Sequence, residues 1–213
     1  PELVRRARDL WLKPEGVSFH VGSQCLNTQN FKDALDAAKH VFQAARRDGV
    51  LMNVVDLGGG FPHRPDLTGE DPFQNAADVI RREVARKFHD GLEVIAEPGR
   101  CVSAPAGTLV AGVVGKAVRG GKTCYYLDEG VYGAMSGILF DHQKLEFHTM
   151  KRGRKLPCVL FGPTCDALDT IERNAMLPEL EIGDAIFIEN TGAYSIASST
   201  TFNGFGRPKI LAM

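Results

Sequence analysis

Three short motifs place reactive side chains beside backbone that can bend around a ligand: Phe19-His20-Val21-Gly22-Ser23, Asp56-Leu-Gly-Gly-Gly-Phe61 and Glu97-Pro-Gly-Arg100. Taken singly, each has an ordinary structural reading. A histidine near a strand end is commonly a hydrogen-bonded structural residue, three glycines make a tight turn, and Glu97 with Arg100 is a surface ion pair worth little. Each motif nevertheless closes a stretch that reads as a strand, and the ends of successive parallel strands converge on one crevice. Together they supply an aromatic stacking group, a nest of backbone N–H groups for an anion, a carboxylate and a guanidinium. That is the set a phosphate-bearing heterocycle requires.

The elements that must position these motifs are legible in the hydrophobic pattern. Leu3, Val4, Ala7, Leu10 and Trp11 recur at helical spacing, as if the chain opens partway through a helix of something larger. Residues 16–22 alternate as a strand, then Phe31, Leu35, Ala38, Phe42 and Ala45 form a helical stripe that stops at Asp48-Gly49. Met52 to Leu57 reads as a buried strand. After a loop holding Pro62, Pro65 and Pro72, Val79, Ile80, Val84 and Phe88 mark a second helix, and Leu92 to Ala96 a third strand. This βαβαβ rhythm predicts a parallel sheet with crossover helices. From about Val102 helices become scarce. Leu109 to Val118, Thr123 to Leu127, Ile138 to Phe140, Cys158 to Phe161 and Ala185 to Glu189 read as strands of a mainly antiparallel domain, with a hairpin turn at Arg119-Gly-Gly-Lys122 and a brief helix over Ala167 to Ala175. The expected division is 1–105 and 106–213.

Composition removes several classes of function. The 213 residues are 44% hydrophobic and carry 25 Lys+Arg against 26 Asp+Glu, so no basic field draws the protein to nucleic acid or anionic lipid. No apolar run approaches the roughly 20 residues that span a bilayer, and no secretory signal opens the chain. The expectation is a cytoplasmic protein with no membrane or nucleic-acid partner. Cys25, Cys101, Cys124, Cys158 and Cys165 contain no C-x-x-C pair, so reduced thiols and no structural metal are expected.

Eight segments in order resemble the fold-type III pyridoxal-phosphate (PLP) amino-acid decarboxylases, and the ornithine decarboxylases in particular: residues 16–23, Asp56-Leu-Gly-Gly-Gly-Phe-Pro62, Ala96-Glu-Pro-Gly-Arg100, Asp128-Glu-Gly-Val-Tyr-Gly133, Phe140-Asp-His142, Gly162-Pro-Thr-Cys-Asp166, Gly192-Ala-Tyr194 and Thr201-Phe-Asn-Gly-Phe205. The resemblance implies the C-terminal part of a (β/α)8 barrel followed by a mainly antiparallel β domain. It implies His20 stacked on the PLP ring and the cofactor phosphate held by Ser23, Gly58, Gly59, Gly60, Arg100 and Tyr194. Glu97 would face the pyridine nitrogen, where a carboxylate keeps the ring protonated and electron-withdrawing. Cys165 would return the proton to the substrate α-carbon. Asp141 and Asp166 would receive the distal ammonium of a basic amino acid; as loop-capping residues they have a purely structural alternative. In this family the Cys-Asp segment reaches into the neighbouring subunit's site, which implies a homodimer with shared active sites.

Those acids favour ornithine first, lysine second and arginine third, toward a polyamine precursor. Phe140 and Cys101 stand where family members commonly carry tyrosine. A larger departure concerns the lysine that holds PLP covalently in such enzymes, in an Ala-x-Lys-like segment of an early strand. No lysine here has that context, and all are expected to be solvated. The expectation is therefore that the lysine-bearing N-terminal part is missing, or is supplied by another chain, or that the fragment adopts an altered arrangement, and that the fragment is inactive alone. Two alternatives are a non-catalytic homologue acting as a regulatory binding protein, and a barrel enzyme for a phosphorylated sugar, which leaves Cys165-Asp166 unexplained.

Overall fold

The helix-ending Asp48-Gly49 and the strand-ending Gly58-Gly59-Gly60 set the grammar of the first unit in the computed structural model, which describes residues 1–62, 71–88, 90–141 and 143–212. The chain divides into two compact units, Pro1–Val102 and Ser103–Met213. In the first, α1 (Glu2–Asp9) precedes β1 (Gly16–Ser18), α2 (Thr28–Arg47), β2 (Val54–Asp56), α3 (Pro72–Lys87), β3 (Glu93–Ile95) and a short α4 (Arg100–Ser103). The three strands pair in parallel in the order β1-β2-β3, with Val17 opposite Val55 and Val55 opposite Val94. Pro65 lies outside the described residues.

Capping starts both long helices where an oxygen-bearing side chain can take an orphan N–H. Asn27 Oδ1 accepts from Gln29 N at 3.0 Å, and Asp71 Oδ1 accepts from Phe73 N at 2.9 Å with Pro72 at the first turn. Phe31, Leu35 and Ala38 of α2 meet Ala76 and Ile80 of α3 over Val55 and Leu57, forming the core of this unit. Gly49 ends α2 at φ 78°, a conformation glycine adopts without the Cβ penalty. Lys87 corrects the expectation that every lysine is solvated. Its side chain is 2% exposed and its Nζ lies 2.6 Å from Asp36, 3.2 Å from Glu83 and 3.0 Å from the Lys32 carbonyl, tying α3 to α2.

The second unit is a six-stranded sheet in the order β6-β9-β4-β5-β7-β8, made of β4 (Thr108–Arg119), β5 (Lys122–Leu127), β6 (Phe147–His148), β7 (Leu156–Phe161), β8 (Thr170–Leu177) and β9 (Ala185–Glu189). All pairs are antiparallel except β5 with β7. Gly120 and Gly121, at φ 56° and 75°, make the β4–β5 hairpin turn, where two left-handed positions match the strand twist. Ala111, Val113, Leu127, Leu160, Ile186 and Ile188 fill its core.

Two local expectations are corrected. Residues 138–140 do not form a strand but belong to the single turn α5 (Gly137–Phe140), closed by Phe140 N to Ser136 O and Asp141 N to Gly137 O. A run of three apolar residues carries too little periodicity to choose between the two. Ala167 to Ala175 is not a helix: the segment turns and then enters β8, which buries Ile171, Ala175 and Leu177 against β7. Pairing with a neighbouring strand overrides the local helical spacing.

Phe31 is fully buried between the two helices. Phe31→Ala is expected to cost about 3–5 kcal/mol of stability, read as a lower midpoint in urea denaturation followed by circular dichroism.

Candidate functional site

The residues singled out from the sequence fall into two sets, one in each unit. In the first unit the set gathers at the C-terminal ends of β1, β2 and β3. Asp56, the last residue of β2, organises this region: its Oδ1 accepts Gly58 N at 2.8 Å and its Oδ2 accepts the Ser18 hydroxyl at 3.3 Å. The chain thus leaves the strand at Gly58, φ 60°, and turns again at Gly60, φ 92°. Backbone bonds lace the three strand ends together, with Phe19 N to Asp56 O at 3.1 Å, Leu57 N to Ile95 O at 2.9 Å, Glu97 N to Gly58 O at 2.8 Å and Cys25 N to Gly60 O at 2.9 Å.

This lacing leaves no room for side chains on Gly58 and Gly60. A Cβ would meet the Phe19 carbonyl oxygen at 2.0 Å from Gly58 and the Gly22 carbonyl oxygen at 2.2 Å from Gly60. At Gly59 it would stand 3.1 Å from His20 Nε2 and 3.2 Å from the Glu97 carbonyl oxygen. The glycine backbone therefore lies directly against the imidazole. Gly22 N donates to His20 Nδ1 at 2.9 Å, so Nε2 is the ring nitrogen able to carry a proton. β1 ends at Ser18, earlier than the expected strand, because this side-chain bond and the left-handed Gly22 turn the chain away. His20, Ser23 and Glu97 are exposed. Arg100, at the start of α4, is 8% exposed.

In the second unit Cys165 and Asp166 occupy the loop between β7 and β8. Cys165 is exposed, and its Sγ accepts from Asn203 Nδ2 at 3.7 Å. Asp166 Oδ1 accepts Leu168 N at 2.8 Å, so the loop-capping reading of this acid holds as far as that oxygen, while Oδ2 accepts the Tyr132 hydroxyl at 2.7 Å. The Leu168 N–H, and after it the Tyr132 hydroxyl, hold the Asp166 carboxyl below the usual carboxylate range, and the same bond raises the Tyr132 phenol. The Tyr132 ring stacks on Phe202 at 4.3 Å, and Thr200 donates to the Tyr132 carbonyl through both N and Oγ1. Tyr132 was not among the expected site residues, although its motif was, because an aromatic residue in a turn gives no signal of which carboxylate it will meet.

Asp141 caps α5 and is half-buried, and its neighbour His142 lies outside the described residues. Tyr194 is 59% exposed and sits at φ 56°, a left-handed conformation that costs a non-glycine residue energy. Ser198 Oγ donates to its carbonyl and lies 2.6 Å from the buried Ser136 hydroxyl. Of the other thiols, Cys25, Cys124 and Cys158 are buried. Burial pushes Cys158 up to about 11 and raises Cys101, which leaves both protonated and inert near neutrality.

Because the folded carboxyl of Asp166 titrates below its unfolded value, its contribution to stability is present above the unfolded pKa and is lost as pH falls through the folded one. Tyr132→Phe removes one of its two donors. The Asp166 resonance in a carboxyl NMR titration is expected to move toward the ordinary aspartate value, and an unchanged titration curve contradicts the assignment.

Residues 1–104 match the family described as pyridoxal-dependent decarboxylase, pyridoxal binding domain. The chain is 40% identical over 205 residues to the lysine/ornithine decarboxylase of Selenomonas ruminantium, covering 96% of this chain and 52% of that protein. It is 37% identical over 228 residues to the ornithine decarboxylase of Mus musculus, covering 98% and 49%. Among solved structures, the lysine/ornithine decarboxylase of Vibrio vulnificus complexed with cadaverine superposes with a TM-score of 0.91 at 37% identity, over 100% of this chain and 58% of that one. The arginine decarboxylase of Paramecium bursaria Chlorella virus gives 0.88 at 34% identity, over 96% and 56%. The chain thus spans about half the length of these curated relatives. With nearly every residue of the chain aligned to such proteins, residues 1–104 belong to the pyridoxal-dependent decarboxylase family as its pyridoxal binding domain.

Proposed function

We propose that this chain forms part of a PLP-dependent decarboxylase acting on a basic amino acid, ornithine first and lysine second. The observation that carries the reading is the cradle at the β1–β3 ends, where the Gly59 backbone lies close against His20 Nε2 and the Glu97 carbonyl and a Cβ on Gly58 or Gly60 would overlap the Phe19 or Gly22 carbonyl oxygen. An anionic group approaches bare peptide N–H groups closely only where side chains are absent, so the residues present fit a phosphate-bearing ring. On this reading Ser23, Gly58, Gly59, Gly60, Arg100 and Tyr194 hold the phosphate and His20 stacks on the ring. Bound PLP supplies an electron sink for the charge left as carbon dioxide departs. Glu97 keeps a proton on the ring nitrogen, and Cys165 returns one to the substrate α-carbon.

Residues 1–105 are assigned to a partial (β/α)8 barrel, its C-terminal part, and 106–213 to the C-terminal β domain. Asp141 and Asp166 are assigned to the distal ammonium of the substrate. A solvated ammonium entering a cleft needs a carboxylate partner, and the hydrogen bonds that keep Asp166 ionised support that role. Relatives solved with cadaverine and with putrescine carry ligands that end in such a group. The enzyme is read as a cytoplasmic homodimer with shared sites. Among the described residues no helix is long and apolar enough to cross a membrane.

The complete polypeptide that carries this chain is expected to develop an absorption band with PLP that borohydride abolishes, and to release carbon dioxide from ornithine and lysine in preference to arginine and diaminopimelate. Absence of both band and release overturns the reading. Glu97→Gln is expected to cost about 3 kcal/mol of transition-state stabilisation, roughly a hundredfold in kcat. Cys165→Ala is expected to alter the ratio of amine product to side products, and an unchanged ratio removes the proton-return assignment.

A further inference from the structure

Asp169 follows the Gly162–Asp166 motif and belongs to none of the expected site residues, yet its carboxylate accepts three hydrogen bonds. It is 1% exposed. Its Oδ1 accepts Val131 N at 2.9 Å, and its Oδ2 accepts Thr164 N at 3.0 Å and the Thr164 hydroxyl at 2.8 Å. Its own backbone closes the loop, with Asp169 N to Asp166 O at 3.0 Å and Gly162 N to Asp169 O at 2.8 Å.

Each of these anchor points is next in sequence to a residue of the Tyr132–Asp166–Cys165 cluster. Val131 precedes Tyr132, and Thr164 precedes Cys165 and Asp166. The Tyr132 hydroxyl reaches Asp166 only while the two segments keep their register, and Asp169 is the side chain that bonds to both. Two glycines belong to the same device. A Cβ at Gly130 would lie 2.2 Å from Asp169 Oδ1, and one at Gly162 would lie 2.1 Å from it. One glycine in each of two separate motifs, Gly130 of Asp128–Gly133 and Gly162 of Gly162–Asp166, thus lies against one carboxylate.

We propose that Asp169 is a positioning residue that sets where Cys165 and Asp166 stand, by clamping their loop to the turn that carries Tyr132. It touches neither substrate nor cofactor and acts through those two side chains. The clamp requires a carboxylate. An asparagine has one acceptor oxygen, so it serves Val131 or the Thr164 pair and turns its NH2 toward the other donor. The kinetic consequence rests on the decarboxylase reading, whereas the consequence for the loop does not.

The test uses the complete polypeptide with Asp169→Asn, Thr164→Val and Thr164→Ser. The first readout needs no cofactor or substrate: the rate at which iodoacetamide alkylates Cys165, followed by peptide mass mapping, with buried Cys25, Cys124 and Cys158 as internal controls. Asp169→Asn is expected to change that rate severalfold while the three controls stay protected. It is also expected to lower kcat/KM for the basic amino acid by about tenfold to a hundredfold, the scale of a small misplacement of reacting groups, with PLP affinity unchanged. Thr164→Val shifts both readouts in the same direction by less, and Thr164→Ser, which keeps the hydroxyl, restores them.

Cys165 reactivity and kcat/KM both within about twofold of the parent in Asp169→Asn, or in Thr164→Val where Asp169→Asn does not fold, overturn the proposal. A parent polypeptide that releases no carbon dioxide from any of the amino acids defeats the functional reading alone, and the alkylation series then decides the role of Asp169.

Discussion

A methyl group on Gly58 would sit 2.0 Å from the Phe19 carbonyl oxygen, and one on Gly60 2.2 Å from that of Gly22. The ends of β1 and β2 therefore meet as bare backbone or not at all. From that approach follow the Phe19 N to Asp56 O bond, the Glu97 N to Gly58 O bond and the seating of Gly59 against the His20 imidazole. Parallel strands cannot be joined by a tight hairpin and depend on crossover helices to align them. Here α2 and α3 do so through the Phe31–Ile80 core and the buried Lys87 contacts. The strands are three residues long, so the loops beyond them carry as much of the pairing as the ladder does.

The second unit solves a different problem. Its apolar core forms from the sheet, but its irregular segments, 128–136 and 162–169, lack a ladder to satisfy their backbone. Buried carboxylates serve instead. Glu129 Oε1 accepts from Gly130 N and Ala134 N, and Asp169 binds the two segments to each other. Burial pushes the Glu129 carboxyl up, the expected sign for an acid removed from water. Such groups are costly when left unsatisfied and confer uniqueness when satisfied, which suits a loop that must hold a thiol and a carboxylate at fixed positions.

Chemistry also sorts the carboxylates and thiols. Asp166 is held ionised by two donors, Glu129 is raised by burial, and Asp56 and Asp169 organise backbone. Cys165 alone of the five cysteines is exposed, and it stands in the Asp166 loop against Asn203. The same residue types thus do different work because of what surrounds them.

Residue order by itself determined the helices over 28–47 and 72–87, the alternation of three strands with them, and the strand at 185–189, because amphipathic periods of 3.6 and 2 are written in consecutive residues. It also marked His20, Gly58 to Gly60, Glu97, Cys165 and Asp166. It misjudged 138–140, where a three-residue apolar run carries too little periodicity and the turn is closed locally by the Ser136 and Gly137 carbonyls, and 167–175, where β7 recruits the segment as a strand. Only tertiary structure decided that Lys87 is buried, that Tyr132 meets Asp166, and that the Asp169 carboxylate packs against the glycines at positions 130 and 162. The Lys87–Asp36, Tyr132–Asp166 and Val131–Asp169 contacts join residues 34 to 51 positions apart. No local pattern encodes which donor will reach which acceptor once the backbone has folded.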